Sequence, residues 1–111
     1  MTATIYNGPE RRRKPRLSYP AGHCPSFTTG GQVFTVLDIS EHGLRFDKEA
    51  HVPLKGWIRG NLALISGRDV DIDGVVVRDQ PGDIGLLFIT AIQSEALVEE
   101  RRHIEAIEAG S

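Results

Sequence analysis

Apolar and polar residues alternate through most of this chain, and a period of two marks strands with one buried face. The clearest case is Gln32–Ser40, where Val33, Thr35, Leu37 and Ile39 fall on one face and Phe34, Val36, Asp38 and Ser40 on the other. Before it, Leu17–Cys24 carries Pro20 and Gly22 among a few apolar residues, which limits it to an irregular or edge strand. Pro25–Thr29 then runs into Gly30-Gly31, a dipeptide suited to a hairpin turn. After the turn at Glu41-His42-Gly43, Leu44-Arg45-Phe46-Asp47 alternates cleanly. A loop over 48–56 with Pro53 precedes a strand over Trp57–Ile65, in which Gly60 marks a bulge or a close approach. Ser66-Gly67-Arg68-Asp69 turns the chain into Val70–Arg78, and Gln80-Pro81-Gly82-Asp83 turns it into Ile84–Ile89. Short strands joined by tight turns predict an antiparallel sandwich or barrel.

The tail changes period. Leu97, Ile104 and Ile107 recur at helical spacing, with Glu99, Glu100, Arg101, Arg102 and Glu105 mostly on other faces. Ser94 reads as the N-cap with Glu95 in the first turn, and Thr90-Ala91-Ile92-Gln93 offers a competing capping box. So narrow an apolar stripe predicts a helix that covers an opening or edge of the sheet.

At 111 residues the chain fits one domain with one core, and 40% hydrophobic with 25% charged residues is an ordinary globular balance. A formal net charge of −2 argues against a protein that coats nucleic acid through a broad basic surface. The charge is unevenly placed, however: Arg11, Arg12, Arg13, Lys14 and Arg16 crowd the N-terminal part, so a local anion site is compatible with an acidic whole. The single cysteine, Cys24, allows no intrachain disulfide. Met1–Pro9 is polar, reads as a disordered lead and lacks the apolar core of a signal peptide, and no apolar run is long enough to span a bilayer. A cytoplasmic location is the expectation. His23, His42, His51 and His103 show no metal-ligand spacing, Ser40 lacks a nucleophile-elbow context, and no paired carboxylates suggest acid–base work. The chain is therefore expected to be neither an enzyme nor a metal protein. Trp57 is expected to pack in the core or at a barrel rim.

Two clusters carry candidate chemistry. Asp38 and Ser40, two apart in a strand, leave one face at its end, and Gly43 permits a positive φ or a close approach. Together they form a polar cup. Arg12 and Arg16, in a segment broken by Pro15, offer planar forks of donors that suit phosphate or the O6/N7 edge of guanine. A carboxylate such as Asp38 can accept from guanine N1–H and N2–H. These residue types suit a guanine-containing phosphodiester. Two plainer readings stand beside this one: a basic run as a solvated tail, and Asp38-x-Ser40 as turn chemistry serving the backbone.

Arg12 and Arg16 match an R-x-x-x-R motif, and Asp38, Ser40 and Gly43 match D/N-x-S-x-x-G after the first long strand. Their order, separation and strand context resemble the PilZ domain family. The likeness runs from about Glu10 to Ile107, with Gly43-Leu44-Arg45-Phe46 and Gly85-Leu86-Leu87-Phe88 resembling the strand after the second motif and the closing strand. It implies a PilZ domain over 10–107, preceded by the lead over 1–9 and followed by a tail over 108–111. The implied fold is all-β with a C-terminal helix: a six-stranded antiparallel barrel. The implied ligand is cyclic di-GMP, a bacterial second messenger. Arg12 and Arg16 would grip guanine and phosphate, Asp38 and Ser40 would bond the base edge, and Gly43 would permit the approach. Arg11 resembles the extra arginine of members that bind a stacked ligand pair. The resemblance further implies an N-terminal arm that orders on ligand binding and signals to a downstream protein, whose identity it leaves open. The alternative is an adaptor of the same fold, in motility or secretion machinery, that binds no nucleotide.

Overall fold

The alternating segments form seven strands: β1 (Leu17–Ser18), β2 (Ser26–Thr29), β3 (Gln32–Ser40), β4 (Gly43–Asp47), β5 (Trp57–Ala63), β6 (Asp69–Gln80) and β7 (Asp83–Phe88). One helix, α1 (Ser94–Ala109), follows. The structure is a computed structural model and describes residues 16–47, 54 and 56–110. The expected lead over 1–9, Arg11, Arg12 and most of the loop after β4 lie outside these residues.

All pairings are antiparallel, and the order β3-β2-β5-β6-β7-β4 closes because β4 also pairs with β3. Six strands thus make a closed barrel, as the family resemblance implied. Closure leaves no free barrel edge to pair with another chain. The two-residue β1 adds to β3 through Leu17↔Ile39 and Ser18↔Asp38.

The interior holds one apolar cluster. Phe46 lies between Phe27 and Phe34, with ring centroids 5.4 and 5.1 Å away, tilted as aromatic pairs prefer. Val36, Ile39, Leu44, Leu62, Ile72, Ile84, Leu86 and Phe88 complete the barrel core. Gly60 marks a close approach: a Cβ there would sit 2.7 Å from a Phe27 ring carbon, so the ring occupies the space a side chain would need.

Two β-bulges decide what faces outward. On β3 the pairing steps from Val36↔Phe46 to Asp38↔Arg45 and skips Leu37. The extra residue reverses the alternation. Phe34, Val36 and Ile39 therefore share the core face, while Asp38 and Ser40 turn outward. This corrects the uniform alternation read from the sequence, which grouped Asp38 with Phe34 and Val36. On β6 the pairing steps from Val76↔Leu86 to Arg78↔Gly85 and skips Val77, which moves Arg78 to the outer face in the same way.

The helix departs from expectation at two points. Gln93 is the N-cap, in extended conformation and without a side-chain capping bond, so Ser94 is the first helical residue and not the cap. The buried stripe is Ala96, Glu100 and Ile104, so Glu100 lies on the packed face. Its carboxylate is fully buried, accepting from the Tyr19 hydroxyl at 2.5 Å, the Ile65 N–H at 3.2 Å and the Ser66 N–H at 2.9 Å. Burial, and then Glu100, push the Tyr19 phenol above its usual pKa range. Next to it, Arg68 pairs with Glu99 at 3.0 Å on the surface. A short run of helix thus clamps both the segment after β1 and the β5–β6 turn.

Candidate ligand-binding site

The outer faces of β3, β4, β7 and β6 lie side by side, and charged residues of alternating sign cross them. Asp38 on β3 is at the centre, with its side chain 6% exposed. Arg16, just before β1, donates from Nη1 to Asp38 Oδ1 at 2.9 Å. Arg45, directly across from Asp38 on β4, donates from Nε to Oδ2 at 2.9 Å, with its Nη2 2.8 Å from the same oxygen. Hydrogen bonding to Asp38 raises the Arg45 pKa further above its already high value, so the guanidinium stays charged. Arg45 Nη1 is 3.7 Å from Asp83 Oδ1, and Arg78 Nη1 is 3.5 Å from Asp83 Oδ2. The row reads Arg16, Asp38, Arg45, Asp83, Arg78. It is tight at the Asp38 end and loose at the Asp83 end.

A pocket of about 250 Å³ opens along this row, with Arg16, Ser40, Gly43, Arg45, Arg78 and Gly85 among its walls. Gly85 lies between Arg45 and Arg78 in the register, so the floor there carries no side chain. Asp38 does not line the pocket; it stands behind Arg16 and Arg45 and orients both. Two hydrogen bonds and a third close guanidinium nitrogen take up most of the roughly four acceptor positions of a carboxylate. Ser40 donates from Oγ to the Gly43 carbonyl at 3.4 Å across the β3–β4 turn. Gly43 does not have the positive φ that its place in a turn suggested. Its requirement is steric: a Cβ would fall 2.7 Å from the Leu86 carbonyl oxygen on β7. His42 lines the same pocket from the turn, with its side chain 54% exposed.

Of the residues singled out in the sequence, the structure brings together Arg16, Asp38, Ser40 and Gly43. Arg45 and Arg78 were missed. Arg45 had a usable signal, because a two-residue turn at Glu41-His42 pairs Ser40 with Gly43 and so places Asp38 across from Arg45. Arg78 had none, since its position depends on the β6 bulge.

A guanidinium-rich pocket on the outside of a closed six-stranded barrel, in a chain that carries R-x-x-x-R and D-x-S-x-x-G, has a counterpart among known families. A family model described as PilZ domain matches residues 10–107. The chain belongs to the PilZ domain family. No curated protein and no solved structure shows significant similarity to it. PilZ domains are generally receptors for cyclic di-GMP and are typically non-catalytic. Among the described residues of this PilZ domain, no cluster of His, Cys, Asp or Glu is placed to hold a metal ion, and no helix is long and apolar enough to cross a membrane.

The barrel also carries an apolar row. Trp57 on β5 pairs with Val75 on β6, Val75 with Leu87 on β7, and Leu87 with Gly43 at the pocket edge. Trp57 is 64% and Leu87 50% exposed, so Trp57 stands on the outer surface and not in the core.

Proposed function

We propose that this PilZ domain is a cytoplasmic receptor for cyclic di-GMP that acts on a partner protein. The observation that carries the reading is the pocket wall: three arginines converge over a glycine floor, and their charge and planar donor forks suit phosphates and guanine edges. Arg16 and Arg12 grip phosphate and guanine, and Arg11 contributes where two stacked ligand molecules bind. Asp38, behind the pocket wall, aims Arg16 and Arg45 at the ligand. Ser40 bonds the base edge, and Gly43 keeps the wall low. The segment carrying the arginines orders over the barrel on binding and alters the surface shown to the partner.

Isothermal titration with cyclic di-GMP tests this directly. Saturable binding is expected, and Arg16→Ala should weaken it by about 30-fold, the worth of one charge-assisted contact to phosphate or base. Absence of saturable heat from the wild-type protein would overturn the receptor reading.

A second reading, an interaction module that ignores nucleotide, is favoured by the row of Trp57, Val75 and Leu87, because exposed apolar rows commonly meet other proteins. Trp57→Ala should leave the urea midpoint nearly unchanged, within about 0.5 kcal/mol, as expected for a side chain on the surface. Loss of partner capture in this variant, with capture indifferent to cyclic di-GMP and to Arg16→Ala, would select the adaptor reading.

A further inference from the structure

Asp83 is unusual among the charged residues of the barrel. Its Oδ1 is the one buried side-chain oxygen among the described residues that makes no hydrogen bond. Buried acceptors are normally satisfied, and one left without a bond calls for an explanation. Its neighbours are cations at distances too long for good hydrogen bonds: Arg45 Nη1 at 3.7 Å and Arg78 Nη1 at 3.5 Å. By contrast, the Asp38 contacts to Arg16 and Arg45 are all at 2.8–2.9 Å. One end of the charge row is locked, and the other is held weakly.

Arg78 lines the pocket on β6, with β4 and β7 lying between it and the Arg16–Asp38 side. Its side chain is half exposed, and Gly85 beside it leaves the path between the two sides open. A ligand with two anionic groups would therefore meet an arginine on each side of one pocket.

We propose that Arg78 is a further ligand-binding residue of this site and that Asp83 is its built-in competitor. In the free protein Asp83 occupies Arg78 and the outer nitrogen of Arg45 as a poorly fitting anion. A phosphate of the ligand displaces it and takes the better contact. The weak Asp83 contacts then set how tightly the site binds, because each ligand must first break them. This rests on the cyclic di-GMP reading, and the experiment separates the two.

Titrations of cyclic di-GMP into the full chain would compare wild type, Arg78→Ala, Asp83→Asn and the double variant, with Arg59→Ala as a control for net charge. Arg59 projects into solvent on β5, away from the pocket. Arg78→Ala should bind about tenfold more weakly, and Asp83→Asn about threefold or more tightly. The double variant should recover little of the Arg78→Ala loss, since without Arg78 the competitor keeps only its long contact to Arg45. Thermal melting of each variant shows that it is folded. Wild-type binding with no loss in Arg78→Ala, or a gain from Asp83→Asn that persists in full without Arg78, would overturn this proposal and leave the receptor reading standing. A folded Asp83→Asn protein that binds no more tightly than wild type would overturn it as well. No binding by wild type would remove both.

Discussion

Glu100→Ala is expected to destabilise the protein by about 3–5 kcal/mol, a large share of the total for a domain of this size. The carboxylate serves three donors at once: the Tyr19 hydroxyl and the N–H groups of Ile65 and Ser66. Alanine leaves all three without an acceptor in a place water does not reach, and each buried donor so orphaned costs roughly 1–3 kcal/mol. Glu100→Gln keeps one acceptor oxygen but turns an N–H₂ toward N–H donors, so an intermediate loss of about 1–2 kcal/mol is expected. The urea midpoint reads these differences. A loss below about 1 kcal/mol in Glu100→Ala would show that the helix is held by its apolar contacts alone. The raised Tyr19 pKa adds a pH signature. Unfolded tyrosine ionises near pH 10 while the buried phenol resists, so the stability linked to neutral Tyr19 is complete below about pH 10 and declines as pH rises beyond it.

Asp38→Ala should lower the affinity for cyclic di-GMP by about 100-fold, more than loss of Arg16 alone. Asp38 holds two of the three arginines of the pocket, and its removal frees both to leave their positions. Arg16 and Arg45 side chains are 58% and 36% exposed and can turn to water, so the stability cost should stay near 1–2 kcal/mol. A large affinity loss with a small shift in urea midpoint is the expected pattern. Asp38→Asn keeps one acceptor and should fall between, near tenfold. Wild-type affinity in a folded Asp38→Ala protein would mean that Asp38 neither orients the arginines for the ligand nor touches it.

Much of this architecture is legible in residue order. Gly30-Gly31, Glu41-His42 and Pro81-Gly82 place the hairpins, and period-two alternation places the strands between them within a residue or two. Arg45 could also have been found by counting outward from the Glu41-His42 turn. Glu100 could not be recognised as buried, because a glutamate on a helix ordinarily faces water. Only its contacts with Tyr19, Ile65 and Ser66, each distant in sequence, make burial favourable.

By itself, the sequence determined the barrel-and-helix plan, the family and the pairing of an arginine segment with the Asp38–Gly43 turn, because these follow from local periodicity, turn chemistry and motif spacing. The tertiary structure decided which way the site faces. A bulge at Leu37 and another at Val77 each insert one unpaired residue and reverse the alternation beyond it, sending Asp38, Ser40 and Arg78 to the outer face. Those shifts depend on how neighbouring strands register when the barrel closes, and register is a property of paired strands that no single segment carries.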